Sequence, residues 1–421
     1  MEIAPRRVEV LQADPRLRVT AGPEHLVLPD GLQPSLLVTA RGALIVQAQL
    51  TKKPHPAARI SYPSAIGTAV SRDGGTSWSE FSFPPGENGL NLEGGGWQFA
   101  DGTILGLDTY ITPGARPGEG FGQIYESTDD WQTLSPPIDI TLHIPGVDYY
   151  VSTDDYGRKY EAHRFHRRML ALPNGDLLAT TYGCFVGDNT PFAYVPTAKK
   201  CRSALVRSTN RGRHWELVNT IAVDPTVGTE GFCEPVLGRI SQGPHAGRLR
   251  CYMRTGFELF ETQSDDEGRT WTKARPMVFP GLDVHRTADW AAMFADVRDH
   301  AGRLLAENPV ALSAAQVDPD LIELRSGVLV CAFGMRVPSR ACWPLAQHPL
   351  NGNYLAFSLD HGDTWSHLLR LSSGTLTTHY MAIEETPVDG EIFVAYDVGD
   401  WSSGHGRDIC GRTLQVTLPA P

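Results

Sequence analysis

Short apolar runs recur along the chain, and each of them follows a turn that contains a glycine. Apolar runs on either side of a glycine turn are typical of β-hairpins, because glycine adopts the backbone conformations that tight turns require. The pattern therefore predicts six antiparallel strand pairs. The six segments are ARGALIV, ADGTILGL, PNGDLLAT, AGRLRCYM, RSGVLVCAF and VDGEIFVAY, with turn glycines Gly42, Gly102, Gly175, Gly247, Gly327 and Gly390.

A second repeat, Ser-x-Asp-x-Gly-x-Thr-Trp, alternates with the first in five places. Its aspartate can accept backbone N–H bonds inside a tight turn, and its glycine supplies a positive φ. Its tryptophan begins the next strand and buries a large ring. Each copy therefore predicts a strand–turn–strand corner. The copies occupy residues 71–78, 127–134, 208–215, 264–271 and 358–365.

The two alternating repeats predict an all-β fold, a six-bladed β-propeller of four-stranded blades that spans residues 1–421 as a single domain. We expect the last blade to close the ring by pairing with the N-terminal strand VEVLQA. Residues 136–166 and 281–316 are longer and are predicted to be insertions between blades. They fall on the face where the inner strands begin. Long loops on a rigid scaffold commonly carry function, so we expect the working face there.

Composition and charge limit the classes of partner and the compartment. The net charge of −11 argues against nucleic acid and anionic membranes as partners. No apolar run is long enough to cross a membrane, and the segment MEIAPRRVEV lacks the apolar core of a secretory signal. The seven cysteines are widely spaced and form no CxxC motif. They predict reduced core thiols and a cytoplasmic location.

Residues 33–401 resemble the sialidase superfamily, whose hallmark is the Asp-box repeat. The segments GFCEPVL, CYMRTG and GTLTTHYMAI are similar to three of its active-site segments. The resemblance implies that Tyr380 is the nucleophile, that Glu234 activates it and that Arg254 binds the substrate. The chemistry is coherent, because a phenol with a pKa of about 10 is a poor nucleophile unless a carboxylate takes its proton.

Other segments depart from the family pattern. LQPSL lacks the first family arginine, and NGNYLAF lacks the third, for which Arg336 or Arg340 is the alternative. Since bidentate arginines hold a planar carboxylate, these losses argue against an ordinary sialoside. The loop TKKPHPAARISYPSAIG contains no carboxylate to act as the general acid. We therefore expect Asp318 to be the acid. The alternatives are Asp108, Asp397 and His55.

Further polar and aromatic residues fall at the starts of the inner strands and the ends of the second strands. Both positions face the centre of the predicted ring, where polar groups are costly unless they are paired or used. The chain has no nucleotide-binding motif, so no cofactor is expected. His163 and His166 lack further ligands at metal spacing, so no metal is expected. The predicted substrate-binding residues are Arg254, Arg167, Arg336, Trp97, Gln33 and Asp108, with Trp290 and Trp343 as other sugar-stacking candidates.

Three functions remain open. The first is an exo-acting retaining glycoside hydrolase with a tyrosine nucleophile, acting on an oligosaccharide or glycoconjugate. Its sugar would be an unusual nonulosonic acid, a uronic acid or a neutral deoxy sugar. The second is a polysaccharide lyase that abstracts a proton beside a uronate, using Tyr380, His379 or His166 together with Arg254. The third is a non-catalytic glycan-binding propeller. The oligomeric state is not predicted.

Overall fold

The computed structural model is composed almost entirely of β-strands and turns. Its helical elements, among the described residues, are the 3₁₀-helices Leu92–Gly94 and Gly243–His245. Within the same part of the chain, no helix is long and apolar enough to cross a membrane. The structure describes residues 7–54, 64–79, 92–153, 159–161, 163–193, 197–285, 295–298, 302–304, 307, 313–339, 348–373, 379–398 and 408–419.

The described strands are numbered in chain order. The first fourteen are β1 Glu9–Gln12, β2 Arg18–Ala21, β3 His25–Leu28, β4 Gly31–Val38, β5 Leu44–Pro54, β6 Ser64–Ser71, β7 Gly96–Gln98, β8 Ile104–Leu107, β9 Thr112–Pro113, β10 Glu119–Ser127, β11 Ile138–His143, β12 Val147–Asp148, β13 Val151–Thr153 and β14 Lys159–Glu161. The others are β15 Arg164–Ala171, β16 Leu177–Phe185, β17 Arg202–Ser208, β18 His214–Ala222, β19 Cys233–Arg239, β20 Leu249–Arg254, β21 Phe260–Ser264, β22 Arg275–Pro276, β23 Ala315–Glu323, β24 Leu329–Arg336, β25 Gly352–Ser358, β26 His367–Ser373, β27 Met381–Glu385, β28 Glu391–Val398 and β29 Asp408–Thr417.

The strands form small sheets in which chain neighbours pair antiparallel. Strands β4–β6 form one sheet, β19–β22 another, and β23–β26 a third that also contains β1. Strands β27–β29 form a sheet with β2 and β3, and β13 pairs β14 in a separate hairpin. All six predicted glycine turns join strands that pair in this way. The all-β prediction is confirmed, and the sheets have a propeller-like arrangement.

The prediction of six separate four-stranded blades is confirmed only in part. Ten strands share one sheet, in which the run β7, β8, β10 and β11 is joined to the run β15–β18. The join is a parallel pairing of β11 with β18 at Thr141 and His214, Leu142 and Trp215, and His143 and Glu216. Parallel pairing between outer strands merges two groups that the repeat pattern had separated. The sheets therefore do not divide into six independent units.

Apolar side chains from each group of strands pack against those of the next group. One core joins β4–β6 to β7–β10, and others join the two halves of the ten-stranded sheet and continue through β19–β22, β23–β26 and β27–β29. A further core returns from β27–β29 to β4–β6. Burying one large apolar side chain contributes about 1.5–3 kcal/mol, so these cores are the main force that holds the sheets in sequence.

The N-terminal segment closes the structure differently from the prediction. The strand in VEVLQA is β1, and it pairs with β26, so it does not extend the last group of strands. Instead, β2 and β3 pair with β29, the last strand of the chain. The apolar pattern could not distinguish these strands, because each of them is only four residues long. Pairing of the last group of strands with an N-terminal strand is therefore confirmed, but VEVLQA, named as an example of that strand, is the wrong segment.

The Ser-x-Asp-x-Gly turns share one hydrogen-bond pattern. In the turn at residues 264–271, Asp266 Oδ1 accepts the Thr270 N–H at 2.9 Å, and Ser264 Oγ accepts the Gly268 N–H at 2.9 Å. Trp271 donates its indole N–H to the Gly268 carbonyl at 3.0 Å. The equivalent turns bind through the same atoms, including the second copy, in which Trp131 adopts a positive φ of 68° in place of glycine. A shared turn geometry positions the start of each following strand.

The two predicted insertions are only partly described. Residues 136–166 contain β11, which is an outer strand of the ten-stranded sheet, and they also contain β12, β13 and β14. Residues 281–316 lie largely outside the described part of the chain, as do His55, Trp290, Arg340 and Trp343. The domain and insertion boundaries remain predictions.

Candidate active site at the centre of the ring

The starts of the inner strands meet at the centre of the structure. Strands β15, β19, β23, β27 and β4 contact one another in that order. Strands β4, β15, β19 and β23 each have a register shift near the start, and such a bulge re-aims the side chains beside it. The residues with positive φ at these starts are Gln33 (55°), Arg167 (34°), Arg168 (55°), Glu234 (42°), Asp318 (50°) and His379 (67°).

Tyr380, Glu234 and Arg254 form one hydrogen-bonded cluster. The Tyr380 hydroxyl donates to Glu234 Oε1 at 2.6 Å. Arg254 Nη1 donates to the same carboxylate oxygen at 2.9 Å and to the Tyr380 oxygen at 3.1 Å. On its other side, Arg254 lies 2.8 Å from each of the two oxygens of Glu230. The resemblance had associated these three residues from separate segments, and the fold brings them into contact.

The cluster holds a neutral phenol against an ionised carboxylate. Burial raises the pKa of Tyr380 well above its usual range, and the neighbouring Glu234 charge raises it further. Burial is the largest single influence and would raise the pKa of Glu234, but Arg254, His166, the Tyr380 hydroxyl and Arg336 together outweigh it. The result is a Glu234 pKa of about 2. Glu234 is therefore ready to accept the Tyr380 proton at neutral pH.

One oxygen of Glu234 remains available to a ligand. Among the described residues, its Oε2 is buried and accepts no hydrogen bond. Burying a carboxylate oxygen without a hydrogen-bond donor costs free energy, and a ligand that donates a hydrogen bond to Oε2 would remove that cost. The guanidinium of Arg336 lies over the Tyr380 ring, 5.5 Å from the ring centroid. Arg336 also lowers the pKa of Glu234 and therefore belongs to the same electrostatic group.

Asp318 and Arg167 form a second group beside the Tyr380 cluster, to which Met381, the residue after Tyr380, connects it. Arg167 donates to both oxygens of Asp318, and the Met381 backbone N–H donates to Asp318 Oδ2 at 3.1 Å. His166 Nε2 lies 3.6 Å from Asp318 Oδ1. Burial raises the pKa of Asp318 well above its usual range, as a general acid requires, although Arg167 acts in the opposite direction. Asp318 is fully buried and both its oxygens accept hydrogen bonds, a geometry that favours support of Arg167 and of the residue after Tyr380.

Arg168, Asp320 and Glu384 repeat this arrangement one step further along the same three strands. Arg168 donates to both oxygens of Asp320 at 2.6 and 3.0 Å and to Glu384 at 2.7 Å. Asp320 accepts the Ile383 N–H at 2.8 Å. These residues line a cavity of about 330 Å³ together with Arg167 and Trp97. Trp97 is therefore placed beside the arginine–aspartate groups, in contact with the same cavity.

Gln33 and Asp108 are not part of the Tyr380 cluster. The Gln33 side chain accepts a hydrogen bond from Gln49 at 2.7 Å, and its backbone N–H donates to Asp397 at 3.2 Å. Asp108 accepts the Tyr110 N–H at 3.4 Å. The substrate-binding roles of Arg167, Arg336, Trp97, Gln33 and Asp108 remain predictions. Asp397, one alternative acid, is fully buried.

Sequence reasoning missed the partners that neutralise the arginines. Glu230, Asp320 and Glu384 pair Arg254 and Arg168, yet none of them was singled out. A signal for the bulged positions was present in the sequence, because proline follows Gln33, Glu234 and Asp318 within apolar strands. Proline inside a strand is confined to edges and bulges. The pairing itself depends on contacts between strands that are distant in sequence.

The described residues offer no cluster of three His, Cys, Asp or Glu side chains that could hold a metal ion. His166 is buried, and burial lowers its pKa to about 3. Burial also lowers the pKa of His379 well below its usual range. Both rings are therefore neutral at physiological pH and add no positive charge to the site.

Solved structures with the same overall arrangement are found at low sequence identity. A Hadza microbial sialidase is 17% identical with a TM-score of 0.54, over 92% of this chain and 65% of that one. A Penicillium chrysogenum α-L-arabinanase complexed with arabinobiose is 12% identical with a TM-score of 0.55, over 94% and 98% of the two chains. This chain thus spans just under two thirds of the sialidase but nearly all of the arabinanase.

A Fusarium graminearum α-L-arabinofuranosidase complexed with arabinobiose has a TM-score of 0.57 at 11% identity, over 93% of this chain and 97% of that one. No protein-family model matches the chain, and no curated protein does so. At these identities the similarity concerns the fold. The chain has the propeller-type fold that the sialidases and arabinanases share, as the Asp-box resemblance implied.

Proposed function

We propose that this protein is an exo-acting retaining glycoside hydrolase of the sialidase type, with Tyr380 as the nucleophile. The observation that supports the proposal most strongly is the 2.6 Å hydrogen bond from the Tyr380 hydroxyl to an ionised Glu234. A buried tyrosine whose hydroxyl donates to an ionised carboxylate has the arrangement in which an adjacent base activates a nucleophile. The low-identity fold similarity to glycosidases supports the same class of reaction.

The reaction would proceed in two displacements. Tyr380 Oη forms a bond to the anomeric carbon while the bond from that carbon to the leaving oxygen breaks, and Glu234 Oε1 takes the phenolic proton. Water then attacks the same carbon and releases a proton to solvent, the tyrosine–carbon bond breaks, and Glu234 returns the phenolic proton to Tyr380, while the departed oxygen takes a proton from solvent. Arg254 donates hydrogen bonds to Glu234 Oε1 and to Tyr380 Oη, and would stabilise the charge that develops on the Tyr380 oxygen.

Asp318 was predicted to protonate the leaving group. Its raised pKa supports that role, whereas its buried, doubly hydrogen-bonded position favours a role in holding Arg167 and the start of β27. We propose that positioning is its main contribution. The distinction is measurable, because an acid matters most when the leaving group is poor.

The test is a panel of fluorogenic exo-glycosides assayed with the wild type and with Tyr380→Phe and Glu234→Gln. Each variant has a matched control elsewhere in the fold. Tyr354→Phe removes a buried hydroxyl that donates to the Leu350 carbonyl, and Glu261→Gln alters a buried carboxylate paired with Arg250. We expect activity to fall by a factor of roughly 100 or more in the two site variants and to persist in the controls.

Retention of activity in Tyr380→Phe would overturn the assignment of the nucleophile. An unsaturated product that absorbs in the ultraviolet would identify a lyase, and sugar binding without turnover would identify a non-catalytic glycan-binding propeller.

We also propose that the ring has six blades, with the ten-stranded sheet counted as two. The six apolar cores that join successive groups of strands and return to the first support this count. A crystal structure of the protein would test it directly. The cytoplasmic location remains a prediction.

A further inference from the structure

We propose that the sugar held by Tyr380 and Glu234 is neutral, with hydroxyl groups and no carboxylate. The proposal rests on the proposed glycosidase function and names its substrate class. It follows from the charges that surround the Tyr380–Glu234 pair in the described part of the chain, and from the hydrogen-bonding capacity that this pair leaves open.

Arg254 is already committed to carboxylates of the protein. Its Nε and Nη2 face the two oxygens of Glu230 at 2.8 Å, and its Nη1 donates to Glu234 at 2.9 Å and to Tyr380 at 3.1 Å. One guanidinium therefore serves two carboxylates. To bind a substrate carboxylate in the bidentate manner, Arg254 would have to abandon Glu230 and leave that buried charge without its partner, which is costly.

The other charges near the centre are balanced in the same way. Arg167 is paired with Asp318, and Arg168 is paired with Asp320 and Glu384. The neighbouring rings of His166 and His379 are neutral because burial lowers the pKa of both. Thus the guanidinium groups of Arg167 and Arg168 are both engaged by carboxyl groups of the protein.

Arg336 is the remaining described cation beside the nucleophile. It lies over the Tyr380 ring and its charge acts on Glu234. In the described part of the chain, the charges of Arg254 and Arg336 match those of Glu230 and Glu234, and Asp318, which also acts on Tyr380, is engaged by Arg167. Recognition of a carboxylate needs a net positive pocket, whereas this cluster is balanced and the chain as a whole carries −11.

The open acceptor on Glu234 favours the same class of ligand. Its Oε2 is buried and accepts no hydrogen bond from the described residues. A sugar hydroxyl can donate to this oxygen, but an ionised sugar carboxylate has only acceptors and would place two like charges together. The group of the ligand that faces this buried oxygen is therefore a hydroxyl and not a carboxylate.

The experiment compares matched pairs of 4-methylumbelliferyl glycosides that differ only at one carbon, such as glucoside with glucuronide and galactoside with galacturonide, beside arabinofuranoside, rhamnoside and sialoside. Each is assayed for turnover by wild type and Tyr380→Phe, and the corresponding free sugars are tested for binding by saturation-transfer NMR. We expect the hydrolysed substrate to be neutral, with kcat/KM at least about 100-fold above that of its acidic counterpart.

The outcomes separate the two proposals. Hydrolysis of a uronide or the sialoside in preference to the neutral members, lost in Tyr380→Phe, would overturn the neutral-sugar inference and leave the glycosidase intact. Binding of neutral sugars without turnover would overturn the proposed glycosidase function and support the neutral-sugar inference. Binding of acidic sugars alone, or of no sugar in the panel, would overturn the inference as well.

A second variant tests the charge argument itself. Glu230→Gln removes the negative charge on one side of Arg254 and leaves Glu234 as the carboxylate paired with it among the described residues. We expect the ratio of uronide to neutral-glycoside binding to rise by roughly tenfold, while Glu261→Gln leaves that ratio unchanged. An unchanged ratio in Glu230→Gln would show that pairing of Arg254 does not exclude acidic sugars.

Discussion

At the residue scale, the site depends on how burial and charge set two protonation states. Tyr380 and Glu234 are both almost fully buried, yet burial acts on them with different results. Burial keeps the phenol protonated, whereas at Glu234 the combined effect of Arg254, His166, the Tyr380 hydroxyl and Arg336 outweighs burial and keeps the carboxylate ionised. In the free enzyme the shared proton therefore lies on the Tyr380 hydroxyl. It can move to Glu234 when Tyr380 Oη forms its bond to the anomeric carbon.

The pH dependence of catalysis follows from these states. Because the Glu234 pKa is lowered to about 2, the carboxylate stays ionised as the pH falls. It becomes protonated, and so can no longer act as a base, only near pH 2. For a substrate with an activated leaving group, we expect kcat/KM to stay constant from neutral pH down to about pH 4. A pH–rate profile checks this. A decline centred on the usual glutamate pKa, about 4.3, would contradict the assigned protonation state.

Asp318 provides a second residue-scale prediction. It accepts hydrogen bonds from Arg167 and from the Met381 N–H, next to Tyr380. If it positions these groups, Asp318→Asn should lower kcat by a similar factor, roughly 10–100-fold, for nitrophenyl and alkyl glycosides. Kinetics with both substrates decide the matter. A loss confined to the alkyl glycoside, with the nitrophenyl one spared, would restore the general-acid role.

At the scale of elements, bulges at the strand starts convert a regular sheet into a site. Glu234 and Asp318 adopt positive φ at register shifts in β19 and β23, and each precedes a proline. The sequence predicted that these two residues face the centre, because the repeat places each inner strand at a known distance from its turn glycine. It did not predict that Glu230 and Asp320 pair the arginines, since those contacts join different strands.

Gly334 tests whether the start of β27 must stay in place. A Cβ at Gly334 would lie 2.2 Å from the His379 carbonyl oxygen and 2.3 Å from the His379 Cβ, one residue before Tyr380. We expect Gly334→Ala to displace this segment and to lower kcat by at least about tenfold. In the matched variant Gly122→Ala, the added Cβ meets the Ile140 side chain at 3.4 Å and the Tyr110 carbonyl oxygen at 3.5 Å, which are ordinary contact distances, so activity should be retained. Equal activity in the two variants, compared at similar melting temperatures, would contradict the account.

At the scale of the whole molecule, the repeats predicted the class of fold but not how its parts connect. The turns with a shared Ser-x-Asp-x-Gly geometry and the cores between successive strand groups follow from local patterns. Two features do not, namely the parallel pairing of β11 with β18 and the placement of β1 on β26. In both cases a strand at the edge of one group pairs with a strand of another group. The partner of such a strand depends on which edge lies next to it in the assembled ring and not on its own sequence.

The proposed retaining mechanism requires Tyr380 to form a covalent bond to the sugar. The most direct measurement is mass spectrometry of the protein quenched during reaction with a fluorinated, slowly released glycoside of the sugar that the panel identifies. We predict one added glycosyl group, located on the peptide that contains Tyr380 and absent from Tyr380→Phe. A label on another residue, or continued turnover with no covalent adduct at any time after mixing, would contradict the central claim.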